Sequence, residues 1–198
     1  TSKDIADMWI HESFGAYSET LFTDFHFGKK AGSEYIIGTR ANIRNDRPVI
    51  GSYNVNSEGS GDMYSKGANM LHTIRQIVND DSKFRNILRG LSKTFYHQTV
   101  TTEQIENYIS AESGYDLSPV FNQYLRNTKI PIFEYKVENS KIRYRWTNCI
   151  ENFDMPLKIF VDEKEKWIKP SVNWQETEMD PNAIISVDNN FYITVKNN

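Results

Sequence analysis

At 198 residues, 13% of them aromatic, the chain can bury one sizeable core or two small ones, which excludes disorder as a description of the whole. A formal net charge of -3 offers no basic face to a phosphate backbone, so nucleic acid is set aside as a partner. No apolar run approaches the roughly 18 residues that span a bilayer, and a lone cysteine, Cys149, excludes an internal disulfide and reads as a small packing residue.

In chain order, Thr1 or Ser2 is placed to cap a first helix, with Asp4 favourable in its first turn. Apolar positions at Ile5, Met8, Trp9, Ala16, Tyr17, Leu21, Phe22 and Phe25 carry that helix to Gly28. A second helix is expected from Ser33, with Ile36, Ile37 and Ile43, stopping before Asp46-Arg47-Pro48. A polar, glycine-rich stretch follows to Gly61, and Asp62 is placed to cap a third helix carrying Met63, Met70, Leu71, Ile74, Ile77 and Val78. Phe84, Ile87, Leu88, Leu91 and Phe95 mark a fourth at helical spacing. Thr101 and Gln104 form a capping box for a fifth, and Ser118-Pro119 opens a short sixth through Leu125.

After Pro131 the apolar period changes to two. Strands are expected at 132–138 and 141–147, joined through Asn139-Ser140 as a hairpin, then at 156–161, 166–168, 184–187 and 191–195. The expected class is α+β: an all-helical unit, 1–130, followed by a small antiparallel β-sandwich, 131–198.

The chemistry concentrates in W-I-H-E-S-F-G-A-Y, Trp9 to Tyr17. Its His11-Glu12 pair looks like the start of the HExxH zinc signature, but glycine at position 15 removes the second histidine that must share the helix face. Projected at 100° per residue, Glu12 falls among the apolar residues and Glu19 lands beside it. A carboxylate there costs several kcal/mol unless it is paired, hydrogen-bonded or bound to metal. Two readings follow. Glu12 and Glu19 pair with arginines such as Arg40 or Arg44, or Glu12 is a metal ligand with Glu19 behind it, orienting a neighbouring ligand. No two of His11, His26, His72 and His97 are spaced four apart, so no local histidine pair completes a site.

The run from Asp4 to Glu19 resembles the segment downstream of HExxH in the gluzincin aminopeptidases, the family of aminopeptidase N and the leukotriene hydrolases, where the pattern is D-x-A-D-x-W-L-N-E-G-F-A-x-Y-x-E. Asp62-Met63-Tyr64-Ser65-Lys66-Gly67-Ala68-Asn69-Met70-Leu71 is similar to the same family's V-x-Y-x-K-G-A-x-x-L. A weaker likeness runs on through Phe84, Thr101 to Tyr108 and Gly114 to Tyr124, ending at Pro131. The resemblance implies that Glu12 is the third zinc ligand, that Glu19 lies behind it, and that Tyr64 donates a hydrogen bond to the reacting carbonyl of a peptide with a free N-terminus. Gly59, Ser60 and Gly61 are candidates for a substrate-pocket wall. The sequence departs from the family in His11 for asparagine and in Ser13 and Gly15 for glycine and alanine, which touches substrate preference more than metal binding. HExxH itself is expected before Thr1, so the chain reads as a C-terminal piece of a zinc aminopeptidase, inactive alone.

The alternative is a non-catalytic interaction or glycan-binding module built on the same scaffold. Trp146, Trp167 and Trp174 are expected in the sandwich core, with a sugar platform as the other reading. Lys66 is expected on a solvated helix face, Gly67 at a close packing contact, and His72 and His97 as surface or satisfied histidines.

Overall fold

The computed structural model describes residues 1–198. The α+β class holds: six helices precede seven strands arranged in two sheets. The first helix starts later than expected. Asp4 caps a 3-10 turn at Ile5–Asp7, accepting from the Ala6 amide at 2.9 Å, and α1 (Trp9–Phe27) follows. The residues before it run beside Val100, whose carbonyl accepts from the Lys3 amide. The late start changes the phase of α1, so its buried stripe is Trp9, Ser13, Tyr17 and Thr20, and Ile5, Met8 and Ala16 are only partly covered.

Gly28, at φ +92°, turns the chain straight into α2 (Lys29–Gly38), ahead of the expected start at Ser33. A 3-10 turn, Thr39–Asn42, ends that arm. The loop to α3 (Ser65–Val78) closes in a 3-10 turn, Gly61–Met63, capped by Ser60 rather than Asp62. The Asp62 carboxylate is used elsewhere, accepting the Arg44 and Asn45 amides at 2.9 and 2.6 Å. The remaining helices are α4 (Asp81–Thr94), α5 (Thr102–Ser113), with the Thr101 and Gln104 capping box in place, and α6 (Ser118–Arg126).

α3 is the axis of the helical part, and every residue from Lys66 to Val78 is buried. Its polar residues are tolerated because each is met. Asn69 accepts from Arg40 Nε at 2.8 Å, Thr73 takes the Tyr192 amide at 3.0 Å, and Arg75 is clasped by Asp24 and Asp81 at 2.7 and 2.8 Å. Lys66 is therefore not solvated: it is fully buried, its Nζ donates to the Asn127 carbonyl at 2.7 Å, and burial pushes its pKa down to about 8.

The β part opens with the expected hairpin, β1 (Ile132–Glu138) and β2 (Lys141–Thr147), whose turn residues Asn139 and Ser140 both take positive φ. β3 (Leu157–Val161), β4 (Lys164–Ile168), β5 (Gln175–Glu178), β6 (Ile185–Val187) and β7 (Thr194–Asn197) complete it. The sheets run β5-β2-β1-β7 and β4-β3-β6, with β7 parallel to β1. The strand expected at 191–195 lies further along because Asn190 to Tyr192 turns back onto the helices. The Arg40 guanidinium donates to the Asn190 carbonyl, and the Tyr124 hydroxyl donates to the Tyr192 carbonyl at 2.6 Å. One core of 35 buried residues consequently runs from Trp9 and Ile74 through Tyr124 to Phe133, Trp146 and Phe191.

Candidate functional site

The packing of α1 on α3 decides which side chains meet. A Cβ on Gly67 would stand 1.9 Å from Ser13 Oγ, so only glycine lets the first turn of α3 approach α1 there. This is the close contact expected of Gly67. Ser13 Oγ fills the space and donates to the Met63 carbonyl at 2.7 Å. Glu12 precedes Ser13 and Tyr64 follows Met63, so one bond between buried groups brings the flanking carboxylate and phenol together. The phenol responds to its neighbour: the charge of Glu12 is the first cause that raises the Tyr64 pKa, followed by desolvation and by hydrogen bonding to Glu12, with Glu58 adding.

Glu12 is half-buried, and Tyr64 is 49% exposed, so the pair sits at the surface of the chain. The arginine reading of the acids finds no support, since Arg40 is spent on Asn69 and Asn190 and Arg44 contributes its backbone to Asp62. Glu19 is exposed and accepts the Tyr35 hydroxyl from α2, which in turn lifts the Tyr35 pKa. His11 points elsewhere, its Nε2 accepting the Ser2 amide at 3.0 Å. No three His, Cys, Asp or Glu side chains gather into a metal-binding group within this chain. For a zinc ion the chain offers one half-buried carboxylate, without an ion pair, beside a phenol. That donor set fits one corner of a tetrahedral site and requires further ligands from outside these residues.

The glycine-rich loop is fastened at several points. The Val49 and Ile50 amides donate to the Leu125 carbonyl, the Gly51 amide to Ala6, and the Ser60 amide to Pro48. The Tyr53 hydroxyl donates to buried Asp7 at 2.6 Å, and the Asn54 amide to Asp4 at 2.9 Å. A Cβ on Gly59 would meet the Val49 carbonyl at 1.7 Å, so the two arms of the loop touch through backbone. Gly59 and Ser60 are buried by this packing, and Gly61 is exposed just before the Tyr64 turn.

Other residues of the Asp4 to Tyr17 block are scaffold. Trp9 Nε1 donates to Thr102 Oγ1 at 2.7 Å, and Thr102 donates to Asp7 at 2.5 Å, fixing the first residue of α5 to the start of α1 and the 3-10 turn before it. His72 is buried and satisfied, between the Tyr17 hydroxyl at Nδ1 (3.1 Å) and Asn190 Oδ1 at Nε2 (3.0 Å). Of the tryptophans, Trp146 is core, Trp167 packs edge-on against Phe191, and Trp174 lies outside the sheet, its ring covered by the Arg145 guanidinium at 4.4 Å. Tyr35 was not singled out from the sequence, and Ser13 was read only as a departure from the family pattern that touches substrate preference. The signal for Ser13 was present: a small polar residue four positions after a buried tryptophan, on a helix facing the Gly67 notch.

With this geometry in place, comparison with known proteins is specific. The model of the peptidase family M1 domain matches residues 1–124. A crystal structure of Legionella pneumophila aminopeptidase A in complex with aspartic acid matches with a TM-score of 0.71 at 14% identity, covering 100% of this chain and 25% of that one. The likeness is one of fold, and the chain spans a quarter of that protein's length. No curated protein matches.

Proposed function

The chain belongs to peptidase family M1, and from that premise we propose that it is a C-terminal part of a zinc aminopeptidase, with 1–130 completing a catalytic domain and 131–198 forming an attached β-sandwich. Glu12 is the protein ligand to zinc that this chain contributes. Glu19, held by Tyr35, orients a neighbouring ligand. Tyr64 is the donor to the reacting carbonyl, and Gly61, at the exposed end of the Gly59–Ser60–Gly61 turn, lines the substrate side. The observation that supports this reading is the Ser13 to Met63 bond between α1 and the turn before α3, next to which the Glu12 charge acts on the Tyr64 phenol.

When bound, zinc supplies Lewis acidity for hydrolysis of the first peptide bond of a substrate with a free N-terminus. The chain's own residues do the rest. Glu12 would hold the metal and neutralise part of its charge. A phenol is protonated at neutral pH, so the Tyr64 hydroxyl donates to the carbonyl oxygen as negative charge builds there. Loss of a single donor of this kind costs about 2.7–4 kcal/mol in turnover. The packed loop keeps the start of α3 from drifting as that charge develops.

The test is a polypeptide extended upstream through an HExxH block, assayed for zinc and for hydrolysis of an aminoacyl amide. Tyr64→Phe retains zinc and loses about 100- to 1,000-fold in kcat. Full turnover in Tyr64→Phe contradicts the reading. The expected outcome for the 198-residue chain alone is neither zinc retention nor hydrolysis.

A further inference from the structure

Ser13 stands where the family pattern carries glycine, and its side chain is fully buried between two helices. A buried hydroxyl without a partner costs more than the methyl it could have been, so its bond to the Met63 carbonyl is the reason it is tolerated. That carbonyl ends a 3-10 turn whose geometry passes directly into α3, and the next residue is Tyr64. The same side chain occupies the notch that Gly67 leaves open one helical turn later. Ser13 therefore touches the chain just before Tyr64, at Met63, and just after it, at Gly67, while Glu12 is its covalent neighbour on α1.

We infer that Ser13 is a positioning residue for Tyr64: its hydroxyl pins the 3-10 turn that leads into α3 onto α1 and sets where the phenol stands relative to Glu12. This rests on the reading of Glu12 and Tyr64 as parts of one site. The pin acts locally. The Tyr64 amide closes its turn on Gly61 over a long 3.4 Å, and the Ala68 amide donates to the Tyr64 carbonyl at 3.0 Å; Asp62 and Ser60 tie the same turn to the preceding loop, and the Ser13 hydroxyl ties it to α1. α5 and α6 are fixed by their own contacts, including the Arg126 to Glu106 pair at 2.6 Å.

Ser13→Ala keeps the packing volume close and removes the donor. In this chain, amide hydrogen exchange resolved by NMR reports the effect. Exchange at Tyr64 and Ala68 rises about fivefold, the equivalent of one ordinary hydrogen bond, while Ile105 and Ile109 in α5 exchange as before. The nuclear Overhauser contacts between the Glu12 side chain and the Tyr64 ring weaken together with it. In the zinc-loaded extended polypeptide, Ser13→Ala lowers kcat with KM and zinc content unchanged. Unchanged exchange at Tyr64 and Ala68 overturns the inference, and so does a uniform rise across α5 and α6, which would mark a merely structural residue. Gly67→Ala, which crowds the same notch from the α3 side, raises exchange at the same amides, and exchange held at the parent level there overturns the inference too. Full turnover in Tyr64→Phe instead removes the reading of the site beneath it, an outcome separable from the exchange result.

Discussion

His72 gives the sharpest quantitative prediction about the joint between helices and sheets. It is 2% exposed, and its ring is bonded from α1 by Tyr17 and from the β part by Asn190. Burial is the main cause that takes its pKa from 6.5 down to about 4, with Arg75 and Arg40 pushing the same way and Asn190 and Asp188 opposing. The folded state therefore binds the proton less readily than the unfolded state. Stability is full above pH 6.5, falls as pH drops from 6.5 toward 4, and reaches its full loss below that. At 1.36 kcal/mol per unit the whole loss is about 3 kcal/mol, and at pH 5 it is about 2 kcal/mol. The assay is urea unfolding at pH 7.5 and pH 5 for the parent and His72→Gln, which keeps an amide to bond Asn190 and cannot protonate. Asp81 and Glu134, whose carboxyls are held low by Arg75 and by Asn198, Arg145 and Lys196, lose their pairing energy on acidification in both proteins and cancel in the difference. With a slope of about 2 kcal/mol per molar urea, the midpoint gap between the two proteins changes by about 1 M in favour of His72→Gln at pH 5. A gap that does not move with pH refutes the burial argument.

Three further outcomes follow from single contacts. Gly67→Ala gains about 1 kcal/mol of helix propensity but forces its Cβ against Ser13, at about 1–3 kcal/mol, so it destabilises by up to about 2 kcal/mol. Combined with Ser13→Gly it costs less than the sum of the two changes, and strict additivity in chemical denaturation would rule out the clash. Thr102→Val removes the donor to buried Asp7 and the acceptor for Trp9 Nε1, and about 2–3 kcal/mol of unfolding free energy goes with them; a neutral result would mean those bonds carry no net stability. Tyr53→Phe frees one anchor of the glycine-rich loop, so limited proteolysis cuts between 51 and 58 faster than in the parent, and an unchanged cleavage rate would mean the remaining backbone bonds hold the loop alone.

What could be read from the sequence tracks how locally each element is determined. The β1–β2 hairpin was legible to the residue because alternation and an Asn-Ser turn fix it without outside help. α4 and α5 were legible for the same reason, one from its apolar spacing and the other from its capping box. β5, Gln-Glu-Thr-Glu, was missed since an edge strand without apolar residues carries no periodic signal. α3 misled at Lys66 because a helix wrapped on all sides has no polar face to reveal. The phase of α1 depended on whether residues 4–8 were helix, and Asp4 capping a separate turn altered it. Glu12 was expected inside the apolar stripe and instead sits half-buried beside it, and its neighbour Tyr64 lies across a tertiary contact that only the family resemblance anticipated.

The central claim is that Glu12 holds zinc. The direct measurement is the metal content, by inductively coupled plasma mass spectrometry, of the polypeptide extended through HExxH, compared with its Glu12→Gln variant at matched folded fraction. The account predicts about one zinc per chain in the first and a loss of affinity of at least tenfold in the second. Equal zinc in both, with turnover intact, would contradict it.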